Sequence, residues 1–145
     1  MTAKEYLQQV RVKDARIKNL QRDKEALRDL MFSLGNSGGD GERVQTSPDP
    51  DKFGAFYSRI DEKEHQIIDS IDKLVDFKLK VSSEIRQLND WRYIDILYRK
   101  YILGQTWKEI AMEKEYSIRY AQNLNGQALL EFEKKHSDML SKIGK

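Results

Sequence analysis

A seven-residue rhythm runs from the first residues to Leu88 and restricts the chain to long helices packed side by side. Ala3, Val10, Ile17, Lys24 and Met31 form one series, and Tyr6, Lys13, Leu20, Leu27 and Leu34 form its partner. Eight of these ten positions are apolar, alternately three and four apart. At 3.6 residues per turn, that spacing gathers the side chains into one seam along a helix. The rhythm returns with Phe53, Ile60, Ile67, Leu74, Val81 and Leu88. Tyr57, Ile71 and Ile85 follow three of them at four residues, while Glu64 and Lys78 interrupt that second row.

Composition agrees with long helices: charged residues make up 34% of the chain, against only 2 prolines. Nowhere do apolar and polar residues alternate over the length of a strand. Thr2 and Glu5 have the spacing of a capping box at the start of the first helix. The stretch SLGNSGGDGERVQTSPDPD should end that helix, with Gly35 as its C-cap. The expectation is an antiparallel, coiled-coil-like hairpin over residues 1–88, with a mobile loop at 35–52 and the second helix from about Lys52 to Leu88. Ile68, Val75, Phe77 and Leu79 widen the stripe of the second helix, which therefore should meet either the C-terminal helices or another subunit.

Residues 89–145 read as a separate helical domain. Asn89 or Asp90 can cap a helix whose stripe is Ile94, Leu97, Tyr98, Tyr101 and Ile102, ending at Gly104. Two more helices are expected, Thr106–Lys114 and Ser117 to about His136. In the shorter one, Trp107, Ile110 and Ala111 share a face, and Ala111 is small enough for a close helix crossing. In the longer one, Ser117 is a good N-cap, and Ala121, Leu124, Ala128 and Phe132 form the face to be buried. The opposite face carries Ile118, Arg119, Tyr120, Gln122, Asn123 and Gln127. Arg119 has the fork that pairs with guanine, and Gln122 or Asn123 the amide that pairs with adenine. Trp91, Trp107, Tyr98 and Tyr101 are read as core residues.

The segment LYRKYILGQTWKEIAMEKEYSIRYAQNLNGQALLEF resembles the helix-turn-helix of region four of bacterial sigma factors. The likeness rests on Tyr101, Gly104, Glu109-Ile110-Ala111, Ser117, Leu124 and Ala128-Leu129. The whole chain also resembles a family of small Gram-positive prophage proteins grouped with sigma-like regulators such as the RinA and ArpU activators. These resemblances imply an all-α fold ending in a sigma-region-four-like bundle. They also imply binding of double-stranded DNA by a recognition helix that opens at Ser117. Two departures stand out. Glu115 occupies the turn position usually held by Gly, and Ile118, Arg119 and Asn123 differ from the usual sigma residues, so the promoter specificity of sigma factors is not implied.

Other functions find little support. With no cysteine and only His65 and His136, no metal-ligand set is expected. The loop NSGGDGERVQTS has Asn36, Asp40 and Gly41 in calcium-loop places, but Gly38 and Ser47 fall where carboxylates belong. No phosphate-binding loop, acid/base pair or activated nucleophile is legible, so neither an enzyme, a cofactor nor a small-molecule substrate is expected. The start has no signal-peptide pattern and no window suits a membrane span, so a cytoplasmic protein is expected. The net charge is +2; from Trp91 onward there are 10 Lys/Arg against 7 Asp/Glu. So small an excess binds phosphates weakly, which calls for a homodimer or RNA polymerase as partner. The competing expectation is a coiled-coil scaffold or adaptor that binds a protein partner without touching DNA.

Overall fold

The computed structural model describes residues 1–36 and 50–143, with side chains for 1–33 and 54–143. Among these residues every regular element is helical, and no strand occurs. The helices are α1 (Ala3–Asn36), α2 (Pro50–Arg86), α3 (Trp91–Leu97), α4 (Trp107–Lys114), α5 (Ile118–Lys135) and α6 (Ser137–Ile143), with a π-helical turn at Tyr98–Ile102 continuing α3. By packing, the chain forms two compact units. One comprises Met1–Asp14 together with Val75–Lys145, and the other comprises Ala15–Leu74.

The expected loop at 35–52 is shorter at both ends. Gly35 lies inside α1, and α2 opens at Pro50 rather than near Lys52. Proline suits a first helical position, where the missing N–H would have no intrahelical acceptor and φ is already helical. The remainder of that loop, including the Asp40, Gly41 and Ser47 positions, lies outside the described residues, as do the side chains of Leu34 and Phe53. At its other end α2 stops at Arg86, and tight bonds from Gln87 N to Glu84 O (3.3 Å) and Leu88 N to Ile85 O (3.1 Å) close the last turn. The capping box forms as spaced: Glu5 N donates to Thr2 Oγ1 (3.2 Å) and Thr2 N to Glu5 Oε2 (3.1 Å).

In the unit formed by residues 15–74, the seam residues Ile17, Ile60 and Leu74 are buried, and the interrupting Glu64 is used rather than wasted. Its carboxylate accepts from Arg28 Nε at 2.9 Å.

The other unit contains a single core. Ala3, Tyr6, Leu7 and Val10 of α1 and Val81, Ile85 and Leu88 lie in it with Ile96, Leu97, Tyr101, Ile102, Ile110, Ala121, Leu124, Ala128, Phe132 and Leu140. Rising numbers in α1 meet falling numbers in α2: Tyr6 bonds Glu84, and Asp14 bonds Lys78 at 3.1 Å. Hence the first turns of the chain complete the core of the C-terminal helices, although the periodicity alone assigns them to a separate hairpin. Seventeen residues of one apolar surface exclude water together, and burial of each large side chain in it is worth about 1.5–3 kcal/mol.

Polar groups in this unit are placed to suit the burial. Glu84 is 7% exposed, and the Tyr6 hydroxyl donates to its two oxygens at 3.0 and 2.9 Å. Burial, and then the bond and charge of Glu84, push the Tyr6 hydroxyl far above its ordinary pKa. Arg11 reaches from α1 to the end of the π turn, donating to Ile102 O at 3.1 Å, with Asp14 on its other side at 2.7 Å. A guanidinium there satisfies a carbonyl that the helix end leaves free and meets the negative end of the dipole.

Candidate nucleic-acid interface

Both helix starts in the C-terminal segment are capped by side chains. Thr106 Oγ1 accepts from Glu109 N at 3.1 Å, and Ser117 Oγ accepts from Tyr120 N at 3.0 Å. Such caps are worth about 1 kcal/mol each. Between α4 and α5 the chain turns through Glu115, Tyr116 and Ser117. Glu115 has φ 58° and ψ 36°, the left-handed conformation, and is the one non-glycine residue of this kind among the described residues. Tyr116 N donates to Ala111 O at 3.0 Å, the six-to-one bond by which a left-handed residue ends a helix. Glu115, at the turn position usually held by Gly, thus takes the conformation that glycine adopts most easily.

The inward face of α5 is Ala121, Leu124, Ala128 and Phe132, as its spacing requires, together with Asn125. Ile110 of α4 is fully buried in the same core. This packing fixes which side of α5 looks outward. Arg119, Gln122 and Asn123 are exposed, and none has a hydrogen-bond or ion-pair partner among the described residues. Ile118 is 47% exposed and Tyr120 42%, and the Tyr120 ring stands edge-on to Tyr116 with centroids 4.8 Å apart. Ser117 is committed to capping. Gln127 is exposed but accepts from the Tyr93 hydroxyl at 3.4 Å, so it is partly held by α3. Of the seven residues singled out by sequence, three therefore stand free, two present apolar surface, and two are engaged locally.

Arg92 belongs to the same surface and was not singled out. Its guanidinium bonds Asp90 at 3.1 Å, and its pKa is raised first by that bond and, to a lesser degree, by the nearby Tyr120 hydroxyl. Asp90 is held below its ordinary range by the same partner, and its carboxylate caps α3 through Arg92 N at 2.9 Å. No spacing rule links Arg92 to Tyr120; only the folding of α3 onto α5 does so.

Other cations nearby are neutralised. Arg99 pairs with Asp95 at 3.1 Å and with Glu113. Burial works against its charge, but the two carboxylates prevail and its pKa is raised. Lys114 lies 3.5 Å from Asp95 and 5.4 Å from the centre of the Trp91 ring. Trp91 is 64% exposed, which corrects its assignment to the core: it sits at the first position of α3, where the ring covers a cation instead of filling the interior. Tyr101 is buried as expected, while Trp107 and Tyr98 are half-buried against the core.

Among the described residues no group of His, Asp or Glu is arranged to hold a metal, and no helix is long and apolar enough to cross a membrane. The chain matches no known protein family, no curated protein and no solved structure.

Proposed function

We propose that α4, the Glu115 turn and α5 form a helix-turn-helix that docks α5 in the major groove of double-stranded DNA, and that the protein is a phage-derived, sigma-region-four-like transcriptional regulator. The observation that supports this most directly is the outward row Arg119, Gln122 and Asn123. Three side chains with base-reading chemistry stand without partners on the first two turns of a helix whose other face is locked into a core. The N-terminal turns of such a helix are the ones that reach base edges. Arg92, exposed and paired with Asp90, lies near Tyr120 on the same surface and suits a phosphate. Because so few cations are free, a monomer would bind DNA with a dissociation constant of only roughly 10⁻⁴ to 10⁻⁶ M. Function therefore requires a homodimer or RNA polymerase alongside.

The test is selection of bound duplexes from a random library, followed by salt titration on the enriched sequence. Affinity should fall steeply with salt, and Arg119→Ala should weaken binding about 5- to 150-fold, the value of one bidentate base contact. Failure to enrich any duplex at low salt, with polymerase present, would refute the proposal. Sedimentation equilibrium gives the assembly: a dimer has twice the 17.1 kDa chain mass.

A scaffold or adaptor that binds protein alone is the second reading, and one feature favours it. Met112 is 73% exposed and Ile118 47%, apolar surface that suits a protein partner better than a phosphate backbone. A partner that binds the chain equally well in high salt and without DNA would support that reading.

A further inference from the structure

Gly126 is the ninth of the 18 residues of α5. Glycine in the interior of a helix weakens it relative to alanine, because the backbone has more freedom to lose. Gly35 of α1 and Gly54 of α2 fall close to a helix end, where a helix frays and less is lost. Gly126 has no such excuse, and the packing supplies none. Among the described residues, a Cβ built on it meets no atom within 4 Å. Its φ is not positive, in contrast to that of Gly104. No neighbouring helix and no turn therefore calls for the missing side chain.

Its place on α5 points to a reason outside the chain. Gly126 is exposed and stands seven residues after Arg119 and three after Asn123, so it lies on the same outward line of the helix. Arg119, Gln122 and Asn123 have no partners among the described residues. A glycine in that line lets the backbone of α5 itself come close to whatever the row faces. The chemistry of the row favours one occupant. The base edges of a DNA duplex offer acceptors and donors to a guanidinium and to side-chain amides. A helix of a second copy crossing at Gly126 would take the same groups out of water without a matched set of partners, which is costly.

We propose that Gly126 is a positioning residue for DNA reading: it is the point at which the backbone of α5 passes closest to the duplex, and its bare Cα lets Arg119 and Asn123 reach base edges. This role rests on the docking of α5 in a major groove proposed above. It adds to that docking a residue with no hydrogen-bonding group of its own, which acts only through how near the helix can come.

The test sets affinity against stability in the full chain, using the duplex enriched with the parent protein. Gly126→Ala should keep the helical spectrum and unfold at the same or a higher urea concentration, because its Cβ meets only open space. The same variant should bind the duplex about 5- to 150-fold more weakly, the cost of forcing one methyl into a packed contact. Gly126→Leu should bind more weakly still. Opposite shifts in stability and affinity would not arise from a merely structural glycine. If Arg119→Ala weakens binding while both Gly126 variants bind as the parent does, the close approach is overturned and the docking of α5 stands. If no duplex is enriched at all, docking and close approach fall together. Conversion of a dimer to the 17.1 kDa monomer by Gly126→Leu, in the absence of DNA, would also overturn the proposal, by assigning the glycine to a contact between copies.

Discussion

Glu115→Gly should stabilise the protein, although it deletes a charged side chain and adds a glycine. A non-glycine residue in the left-handed region costs roughly 1–2 kcal/mol, because Cβ crowds the following carbonyl. At φ 58° and ψ 36° Glu115 bears that cost in full. Glycine removes it but loses more backbone freedom on folding, about 0.5–1 kcal/mol. The difference is a gain of about 0.5–1 kcal/mol. The Glu115 side chain is exposed and has no ion pair or hydrogen bond among the described residues, so little is lost with it. Urea unfolding followed by tryptophan fluorescence suits the measurement, because Trp91 and Trp107 both belong to the unit that contains the turn. The midpoint should rise with an unchanged slope, and the melting temperature should rise by about 2–4 °C. Glu115→Ala keeps Cβ and so should stay within about 0.5 kcal/mol of the parent. If glycine and alanine give the same stability, the strain at this turn is refuted.

Three further outcomes follow from the packing. Gly104 has φ 74°, and a Cβ there would run into the Arg11 guanidinium, with Cζ only 2.6 Å away; Gly104→Ala should cost about 1–3 kcal/mol in the same unfolding assay, whereas Gly126→Ala, with open space around it, should gain about 0.5–1 kcal/mol. Leu7→Ala should cost about 2–5 kcal/mol and lower tryptophan-monitored stability of the C-terminal helices, because Leu7 is fully buried in their core; an unaffected midpoint would mean that α1 does not belong to it. Tyr6→Phe strands the buried Glu84 carboxylate and should cost about 1–3 kcal/mol. Tyr6 keeps its proton longer when folded than when unfolded, so its contribution is fully present below the unfolded value of about 10 and fades as pH rises toward the folded one. Absorbance titration at 295 nm should show Tyr6, and Tyr101 whose pKa is also raised by burial, ionising only as the chain unfolds; simultaneous ionisation of all 7 tyrosines would contradict this.

Part of the candidate interface was legible because it rests on local rules. Ser117 caps α5, and spacings of three and four place Ala121, Leu124, Ala128 and Phe132 inside, which leaves Arg119, Gln122 and Asn123 outside by exclusion. Arg92 was not legible, because its place beside Tyr120 comes from the crossing of α3 and α5. Ile96 was missed for a related reason. Ile96 lies off the stripe that spacing picks out, yet it is buried beside Leu97 where α3 packs in the core of the C-terminal helices. Trp91 departs from the core reading because aromatic character alone does not say whether a ring is buried; here it is 64% exposed with a lysine over one face.

Local chemistry written in the sequence determined the helical character of the chain, the caps at Thr2 and Ser117 and the inner face of α5. Each depends on residues within one or two turns of one another, where spacing fixes direction. Tertiary structure alone decided which faces meet. The heptad seam specifies that α1 needs an apolar partner but does not name one, because any apolar stripe of the right width would serve. Folding assigns Tyr6, Leu7 and Val10 to the core of the C-terminal helices, and sets Lys4 and Arg11 beside Lys100 and Asn125 across a cleft. Such groupings arise from burial and charge shared among residues far apart in the chain, which no local pattern records.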